Sequence, residues 1–370
     1  MAALGDKERS ELSAYAVRVR RELHSMPELS SREFRTGEYI AERLTELGVA
    51  FRRAHTGLIA DIAGCDGKTV ALRADFDGLP IKERTGLPFA STNGCMHACG
   101  HDGHTAMLLA AAKYLSLHKP AHNVRLIFQF GEEGDGGAET MIQRGALDGV
   151  EVIYAFHLCP DLDFGRVGTS PDTLFAGVAE FDVEFSGRSS HCAAKEEGVD
   201  ALAAAVEFAS VIDGAREERK NTLLHVGKLT AGSARNVVAG SAALECTFRF
   251  FDKADREPVL DNLRGLVRET DAKFGTRGKL TVKSVYPPLV CDARCVRVLS
   301  SLTDVVNMPG RYTSEDFAFY LERVPGCMAW LGVRDETHTS PLHSDTFDFD
   351  ERVLAAGAEL FIKLADTGVF

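Results

Sequence analysis

The sequence predicts an α/β fold with a second, inserted α+β domain, and two observations lead to this prediction. In the first half of the chain, continuous apolar runs flank a helical segment, as in a sheet that is buried on both faces. From about Gly177 onward, apolar and polar residues alternate one by one, as in strands with one solvated face. A chain of 370 residues, 45% of them hydrophobic, is long enough for two such cores.

The first domain is predicted at residues 1–176 and 287–370. Leu12, Val19 and Leu23 recur at helical spacing, so the chain is expected to open with an amphipathic helix. Buried strands are predicted at 58–63, 69–74, 124–130 and 152–156, and helices at 105–117, 316–321 and 351–364. The strand and helix order indicates an α/β sheet.

The inserted domain is predicted at residues 177–286. Phe181, Val183 and Phe185 alternate with acidic residues, and the segment from Leu244 to Phe250 repeats the pattern. Helical stretches at 199–212 and 258–274 accompany these strands, which is typical of a compact α+β unit with one open sheet face.

Composition excludes several classes of function. A net charge of -12 argues against a nucleic-acid or anionic-membrane partner, since either would require a basic face. No segment offers the roughly 18 to 20 uninterrupted apolar residues of a membrane span, and nine cysteines without an export signal do not indicate a disulfide framework. We therefore expect a soluble, cytoplasmic protein that acts on a small molecule.

The segment from His97 to His104 carries three imidazoles and one thiol at the entrance to a predicted helix. Residues two apart in an extended segment point the same way, so Cys99 and His101 can reach one cation, and both are common metal ligands. The alternative is a helix entrance whose histidines only cap the helix and form hydrogen bonds.

Ligand-type side chains also follow other predicted strands. Asp75, the adjacent Glu132 and Glu133, and His157 each come directly after an apolar run. Because the carboxyl ends of strands form the ligand crevice of open α/β sheets, these side chains are expected to converge. Adjacent acids usually lie on solvated loops. The prediction of a ligand crevice therefore rests on the combination of these side chains and not on any one of them. His343 lies in a polar turn before the last helix. It is a candidate ligand only in combination with these other residues.

Five motifs of the sequence can be taken together. They are Arg73-Ala74-Asp75-Phe76-Asp77-Gly78-Leu79-Pro80, His97-Ala98-Cys99-Gly100-His101-Asp102-Gly103-His104, Glu132-Glu133-Gly134, Ser314-Glu315-Asp316-Phe317 and Leu342-His343. As a set they resemble the motifs of the amidohydrolase branch of the aminoacylase and glutamate carboxypeptidase superfamily. That branch includes hippurate hydrolases, auxin-amino acid conjugate hydrolases and N-acetyl-diaminopimelate deacetylases. The resemblance runs in order from about Arg21 to Leu360.

The resemblance implies a mixed-sheet domain that holds two divalent metal ions, zinc or manganese first and cobalt or nickel as alternatives. The implied ligands are Cys99, as a bridging thiolate, with His101, Glu133, His157 and His343. Glu132 is implied as the general base for a metal-activated water, and Asp75 as a carboxylate that orients His101 or another imidazole.

The insert resembles the lid and dimerisation domain of the same superfamily, which implies a homodimer through this domain. His191 is implied to approach the scissile carbonyl, and Asn236, Arg249 and Ser314 to bind substrate. Arg249 lies on the predicted solvated face, where a guanidinium can pair with a substrate carboxylate.

The expected activity is hydrolysis of the amide bond of an N-acyl amino acid. Two alternatives remain open: a dipeptidase or carboxypeptidase on the same fold, and a non-catalytic metal-binding protein. Relatives commonly carry Gln-Pro-Ala where this chain has Gln129-Phe130-Gly131, so the acyl group and the amino acid stay undetermined.

Overall fold

Two sheets organise the chain in a computed structural model that describes residues 4–134, 136–214 and 221–370. The chain divides into two units. The first comprises Met1–Asp172, Val290–Pro309 and Asp316–Phe370, and the second comprises Thr173–Leu289 and Gly310–Glu315.

The elements of the described residues are as follows. The helices are α1 (Asp6–His24), α2 (Phe34–Glu46), α3 (His101–Leu117), α4 (Ala138–Gln143), α5 (Ala201–Gly214), α6 (Arg256–Phe274), α7 (Ala293–Leu302), α8 (Ala318–Leu321) and α9 (Arg352–Thr367). The strands are β1 (Phe51–Ala54), β2 (Gly57–Ile62), β3 (Thr69–Asp75), β4 (Asn123–Gln129), β5 (Val152–Asp163), β6 (Val167–Thr169), β7 (Thr173–Phe175), β8 (Gly177–Ser186), β9 (Thr222–Ala231), β10 (Ser241–Phe250), β11 (Arg277–Tyr286), β12 (Leu289–Val290), β13 (Val305–Asn307) and β14 (Gly326–Arg334).

The first unit is built on a mixed sheet, as predicted. Within the described residues, eight strands lie in the order β1-β2-β4-β3-β5-β14-β6-β13. The central strands β4, β3, β5 and β14 run parallel to one another, whereas β2 is antiparallel to β4 and β6 is antiparallel to β14. The residues of β3 from Val70 onward are all buried, which explains its continuous apolar run. The carboxyl ends of these parallel strands therefore meet at one edge of the sheet.

β5 is longer than the sequence predicts. It continues to Asp163, whereas the apolar run predicts an end at Phe156. The extension follows from pairing with β14, which continues past His157 through Gly332↔Cys159. A Cβ on Gly332 would lie 2.0 Å from the carbonyl oxygen of Asp163, so glycine is needed for this close approach. His157 consequently lies inside a strand rather than after one.

Two helices of the first unit begin two or more residues away from their predicted starts. α3 starts at His101, so the segment that begins at His97 leads directly into its first turn. α8 starts at Ala318 rather than at residue 316, and the carboxylate of Asp316 instead accepts hydrogen bonds from Arg73, Gln129 and the backbone of Ala138.

The second unit contains a four-stranded antiparallel sheet in the order β11-β8-β10-β9. Phe181, Val183 and Phe185 pack with residues of α5 and α6 in its core, as their alternation with acids predicts. The unit also includes residues 310–315, which lie outside the predicted insert. Arg311 donates its backbone N–H to Leu174 at 3.0 Å, and the Tyr312 ring lies 4.8 Å from that of Phe251.

Within the described part of the chain, no helix combines the length and apolarity that a membrane crossing requires. All nine cysteines are free thiols.

Buried charge ties α1 to the start of α3. Arg20, which is 1% exposed, donates to Asp102 at 3.0 Å and to Asp348 at 2.6 Å. His24 Nδ1 lies 2.8 Å from the same Asp102 carboxylate, and His24 Nε2 lies 3.1 Å from Glu83. Asp102 is therefore held by two cationic partners next to the predicted ligand His101.

Replacing Arg20 by methionine is expected to lower the free energy of unfolding by about 3 kcal/mol or more, because Asp102 would keep its buried charge without its guanidinium partner. Arg21→Met is the matched control. Arg21 is half exposed and pairs with Glu351 at 2.6 Å, so its loss is expected to cost about 1 kcal/mol or less. Urea denaturation of both variants measures the difference, and equal effects would contradict the buried-pair account.

His24 is expected to make the free energy of unfolding decrease as the pH rises from 6.5 to about 9. Burial alone would lower the pKa of His24, but Asp102 and Glu83 outweigh it and raise the pKa from 6.5 to about 9. Since the folded-state pKa is raised, the stabilisation is complete below pH 6.5 and is lost as the pH rises through about 9. The Tm difference between wild type and His24→Gln should therefore be largest near pH 6 and vanish by about pH 9.5. A difference that is constant across this range would exclude a charged His24.

Candidate metal centre

Four segments of the first unit bring donor atoms to one edge of its sheet. Cys99 precedes the first turn of α3, and Glu133 lies in the loop after β4. His157 projects from β5, and His343 donates its backbone N–H to Ala98 at 2.8 Å. Gly100, at φ 86°, makes the turn between Cys99 and His101, and a Cβ there would lie 2.8 Å from the Leu158 side chain.

The donor atoms form two groups that share one thiol. Ligand atoms of Cys99, His101 and His157 all lie within 4.8 Å of one another, and so do those of Cys99, Glu133 and His343. Cys99 Sγ is 3.5 Å from His157 Nε2, and Glu133 Oε1 is 3.1 Å from His343 Nε2. A thiolate common to two donor groups is the arrangement that a bridging ligand requires.

Hydrogen bonds at Nδ1 of His101 and His157 leave the Nε2 atom of each imidazole toward the other donor atoms. His101 Nδ1 lies 3.1 Å from Asp77 Oδ1, and His157 Nδ1 lies 2.8 Å from the carbonyl oxygen of Leu158. His101 Nε2 is buried and has no hydrogen-bond partner among the described residues. Buried polar atoms are normally satisfied, so this donor set fits divalent metal ions.

The charges around the donor atoms also favour the binding of cations. Burial, followed by the charges of Glu133 and Glu132, raises the pKa of the Cys99 thiol far above its usual range. Burial would lower the pKa of His101, but Asp75 and Asp77 outweigh it and raise the pKa to about 10. Negative charge is therefore concentrated around the donors. Bound cations would relieve it and favour the thiolate.

Asp75 and Asp77 each form a hydrogen bond with a different imidazole. Asp75 Oδ1 bonds His104 Nδ1 at 2.6 Å, while its Oδ2 is 3.7 Å from His101 Nε2. Asp77, which the sequence reasoning did not single out, is the carboxylate that bonds His101. Its only signal was its place in the same motif, two residues after Asp75. His104 Nε2 accepts the N–H of Leu158 at 3.0 Å, so both its ring nitrogens are engaged in hydrogen bonds.

The predicted substrate residues lie in the second unit. Arg249 donates to Ser314 Oγ at 2.9 Å and pairs with Glu180 at 3.3 Å. His191 is exposed, and its Nδ1 accepts the Ala193 N–H at 3.2 Å. Asn236, also exposed, accepts the N–H of Cys192 through its backbone carbonyl at 2.9 Å. These residues thus form two local pairs, Arg249 with Ser314 and the His191 loop with Asn236.

The profile of peptidase family M20/M25/M40 matches residues 71–367. The chain belongs to this family. An N-acetyl-L-cysteine deacetylase of Bacillus subtilis is 36% identical over 360 residues, which cover 93% of this chain and 86% of that protein. An N-acetyldiaminopimelate deacetylase of Exiguobacterium sibiricum is 34% identical over 355 residues, covering 92% and 95%. A solved structure of a dinuclear metal-binding peptidase of family M20 from Bacillus subtilis has a TM-score of 0.86 at 32% identity, covering 96% and 98%.

This membership confirms the expected enzyme class. The protein is a metal-dependent amidohydrolase. The mixed sheet with its insert is the fold that the sequence predicts for it.

Asp77→Asn is expected to weaken metal binding about 10- to 100-fold, because the amide cannot reproduce the carboxylate that orients His101. Competition against a chromophoric chelator measures the affinity. Asp66→Asn is the matched control, since Asp66 bonds His122 Nδ1 at 2.8 Å in a carboxylate–imidazole pair that includes no candidate ligand. An affinity within twofold of the control would exclude this role for Asp77.

Proposed function

We propose that this protein is an N-acyl amino acid deacylase that uses two divalent metal ions and Glu132 as general base. The observation that carries the proposal is the pair of donor groups sharing Cys99, with a carboxylate oxygen of Glu132 within 4.8 Å of ligand atoms of His101 and Glu133. A structural metal site is usually closed by four ligands and has no use for such an additional carboxylate.

Cys99, His101, Glu133, His157 and His343 are the proposed ligands. When bound, two divalent ions would lower the pKa of water and polarise the scissile carbonyl. Imidazole, thiolate and carboxylate donors suit zinc or manganese first, with cobalt or nickel as alternatives.

Glu132 moves the proton. Its carboxylate takes a proton from the attacking water, whose oxygen forms a bond to the carbonyl carbon. The C–N bond then breaks, and Glu132 gives the proton to the departing amine. The products are a carboxylate and a free amino acid. A half-buried position next to Glu133 keeps this carboxylate accessible to water while its backbone remains in the loop after β4.

The substrate class follows from the two deacetylase relatives and from the cationic group of the second unit. Arg249 is proposed to pair with the substrate carboxylate. Ser314 and Asn236 are proposed as further substrate-binding residues, and His191 is proposed to act at the scissile carbonyl. In the described residues Arg249 already pairs with Glu180, so a substrate carboxylate would replace one anionic partner with another. The nine free thiols suit a reducing compartment such as the cytoplasm.

Glu132→Gln is expected to lower kcat by about 10²- to 10⁴-fold, because the amide cannot accept the proton. Metal content should stay unchanged, since Glu132 is outside the proposed ligand set. Release of free amine is measured from N-acetyl, N-benzoyl and indole-acetyl amino acids, with N-acetylcysteine, N-acetyldiaminopimelate and a set of dipeptides included.

Glu139→Gln, an acid on the nearby α4, is the control and should retain full activity. Turnover of dipeptides alone would favour the peptidase alternative. Bound metal with no turnover of any compound would favour a non-catalytic metal-binding protein.

The proposed homodimer would form through the second unit. Leu202, Val206 and Val211 of α5 are 41%, 53% and 44% exposed, which is a high exposure for three apolar residues on one helix. β9 lies at the edge of the four-stranded sheet in the described residues, so it offers backbone groups to a second copy.

Val206→Glu is expected to shift the protein from dimer to monomer, because it places a charge in the proposed apolar contact. Leu117→Glu is the control, since Leu117 is 75% exposed and belongs to the first unit. Light scattering coupled to size-exclusion chromatography gives the mass of each. A wild-type monomer, or two variants that both remain dimeric, would exclude this interface.

A further inference from the structure

Three turns of the first unit meet around the buried carboxylate of Glu33. Ser31, His55 and Gly131 have φ values of 63°, 57° and 69°, so two non-glycine residues adopt the left-handed conformation here. His55 Nε2 lies 3.1 Å from the carbonyl oxygen of Ser31. Clustered left-handed residues of this kind persist only where surrounding contacts hold them.

Glu33 supplies those contacts. Its Oε1 accepts the backbone N–H of Ser31 at 2.7 Å and that of Gly131 at 3.0 Å. Its Oε2 accepts the hydroxyl of Thr56 at 2.9 Å. One side chain, 0% exposed, therefore joins the segment before α2, the turn between β1 and β2, and the loop after β4.

The Ser31 and Gly131 N–H groups and the Thr56 hydroxyl all donate, so the side chain between them must offer only acceptor atoms. A carboxylate accepts from all three groups, whereas a glutamine would direct an NH₂ group at one of them. Glu33 forms no ion pair with an arginine, lysine or histidine of the described residues. Three donors are thus the compensation for burying this charge.

Asp77 holds the backbone that follows Glu132. Asp77 Oδ2 accepts the backbone N–H of Glu133 at 2.9 Å and the hydroxyl of Ser30 at 2.6 Å. The amides of Gly131 and Glu133, which flank Glu132, are therefore each held by a buried carboxylate. The segment from Ser30 to Glu33 contributes to both attachments.

We propose that Glu33 is a positioning residue for the general base: through the Gly131 amide it fixes the backbone from which Glu132 projects. This inference rests on the proposed function, since it assigns Glu132 a position that matters for proton transfer. Small displacements of a catalytic group cost large factors in rate, so the effect should fall on kcat rather than on KM.

The test compares metal-loaded wild type, Glu33→Gln and Glu28→Gln. Glu28 is the matched control, because its Oε2 also accepts a backbone N–H and a hydroxyl, both from Thr36. Among the described residues, its carboxylate forms no hydrogen bond with Gly131 or Asp77. Glu33→Gln is expected to lower kcat about 10- to 100-fold, with KM within about twofold and metal content unchanged. Glu28→Gln should keep kcat within about twofold.

Amide hydrogen exchange provides the second readout. Segment 129–134 should exchange at least about tenfold faster in Glu33→Gln and not in Glu28→Gln, because a lost hydrogen bond permits local opening. Glu33→Asp, which keeps the charge but shortens the side chain, should show the same two effects in weaker form if Glu33→Gln does not fold.

Each of the remaining outcomes would overturn a specific part of this inference or the proposed function. Unchanged exchange in segment 129–134 would overturn the attachment, and faster exchange with unchanged kcat would overturn the positioning role. A kcat that falls only in proportion to lost metal would assign Glu33 to metal retention instead. A wild type that hydrolyses no acyl amino acid would overturn the proposed function, whereas an active wild type with an equally active Glu33→Gln would overturn this inference alone.

Discussion

Negative charge buried at the carboxyl ends of β3 and β4 is the constraint on which the rest of the site depends. Asp75 and Asp77 are fully buried, and Glu132 and Glu133 lie in the next loop beside a buried thiol. Arg73 donates to Asp75 at 2.6 Å and to Asp316 at 3.0 Å, so its single charge is divided between two carboxylates. Such a concentration of anions is stable only with further cations. His101 Nε2, which has no hydrogen-bond partner among the described residues, lies where such a cation would bind.

The same charges also hold the site in shape. Arg73 and His101 outweigh burial and keep the pKa of Asp75 well below its usual range, so this carboxylate remains an acceptor for His104. Gln129, at the end of β4, donates to Asp316 at 2.7 Å and accepts from Arg73 at 2.9 Å. Two strand ends and the turn before α8 are thereby joined beneath the loop that carries Glu132. The proposed ligands consequently project from a sheet edge that these hydrogen bonds hold together, which favours a preorganised metal centre.

Some of this arrangement could be predicted from the sequence because it depends on local pattern. The apolar runs that end near Asp75 and Glu132 mark strand ends, and the parallel order of β3 and β4 brings them together. The remainder depends on contacts between distant residues. The length of β5 is set by pairing with β14, about 170 residues later, so His157 could not be located inside a strand from its own surroundings. Two carboxylates in one short motif do not show which imidazole each will bond, and the sequence therefore did not separate Asp77 from Asp75. Glu33 is, in sequence, one acid before a helix, and its bond to Gly131 spans 98 residues.

The central claim is that Cys99 is shared between two metal ions, with His101 and His157 on one side and Glu133 and His343 on the other. Anomalous X-ray diffraction from crystals of the zinc-loaded protein tests this most directly. The account predicts two anomalous peaks, each at a bonding distance of about 2.3 Å from Cys99 Sγ. A single peak, or two peaks with Cys99 outside bonding distance of either, would contradict it.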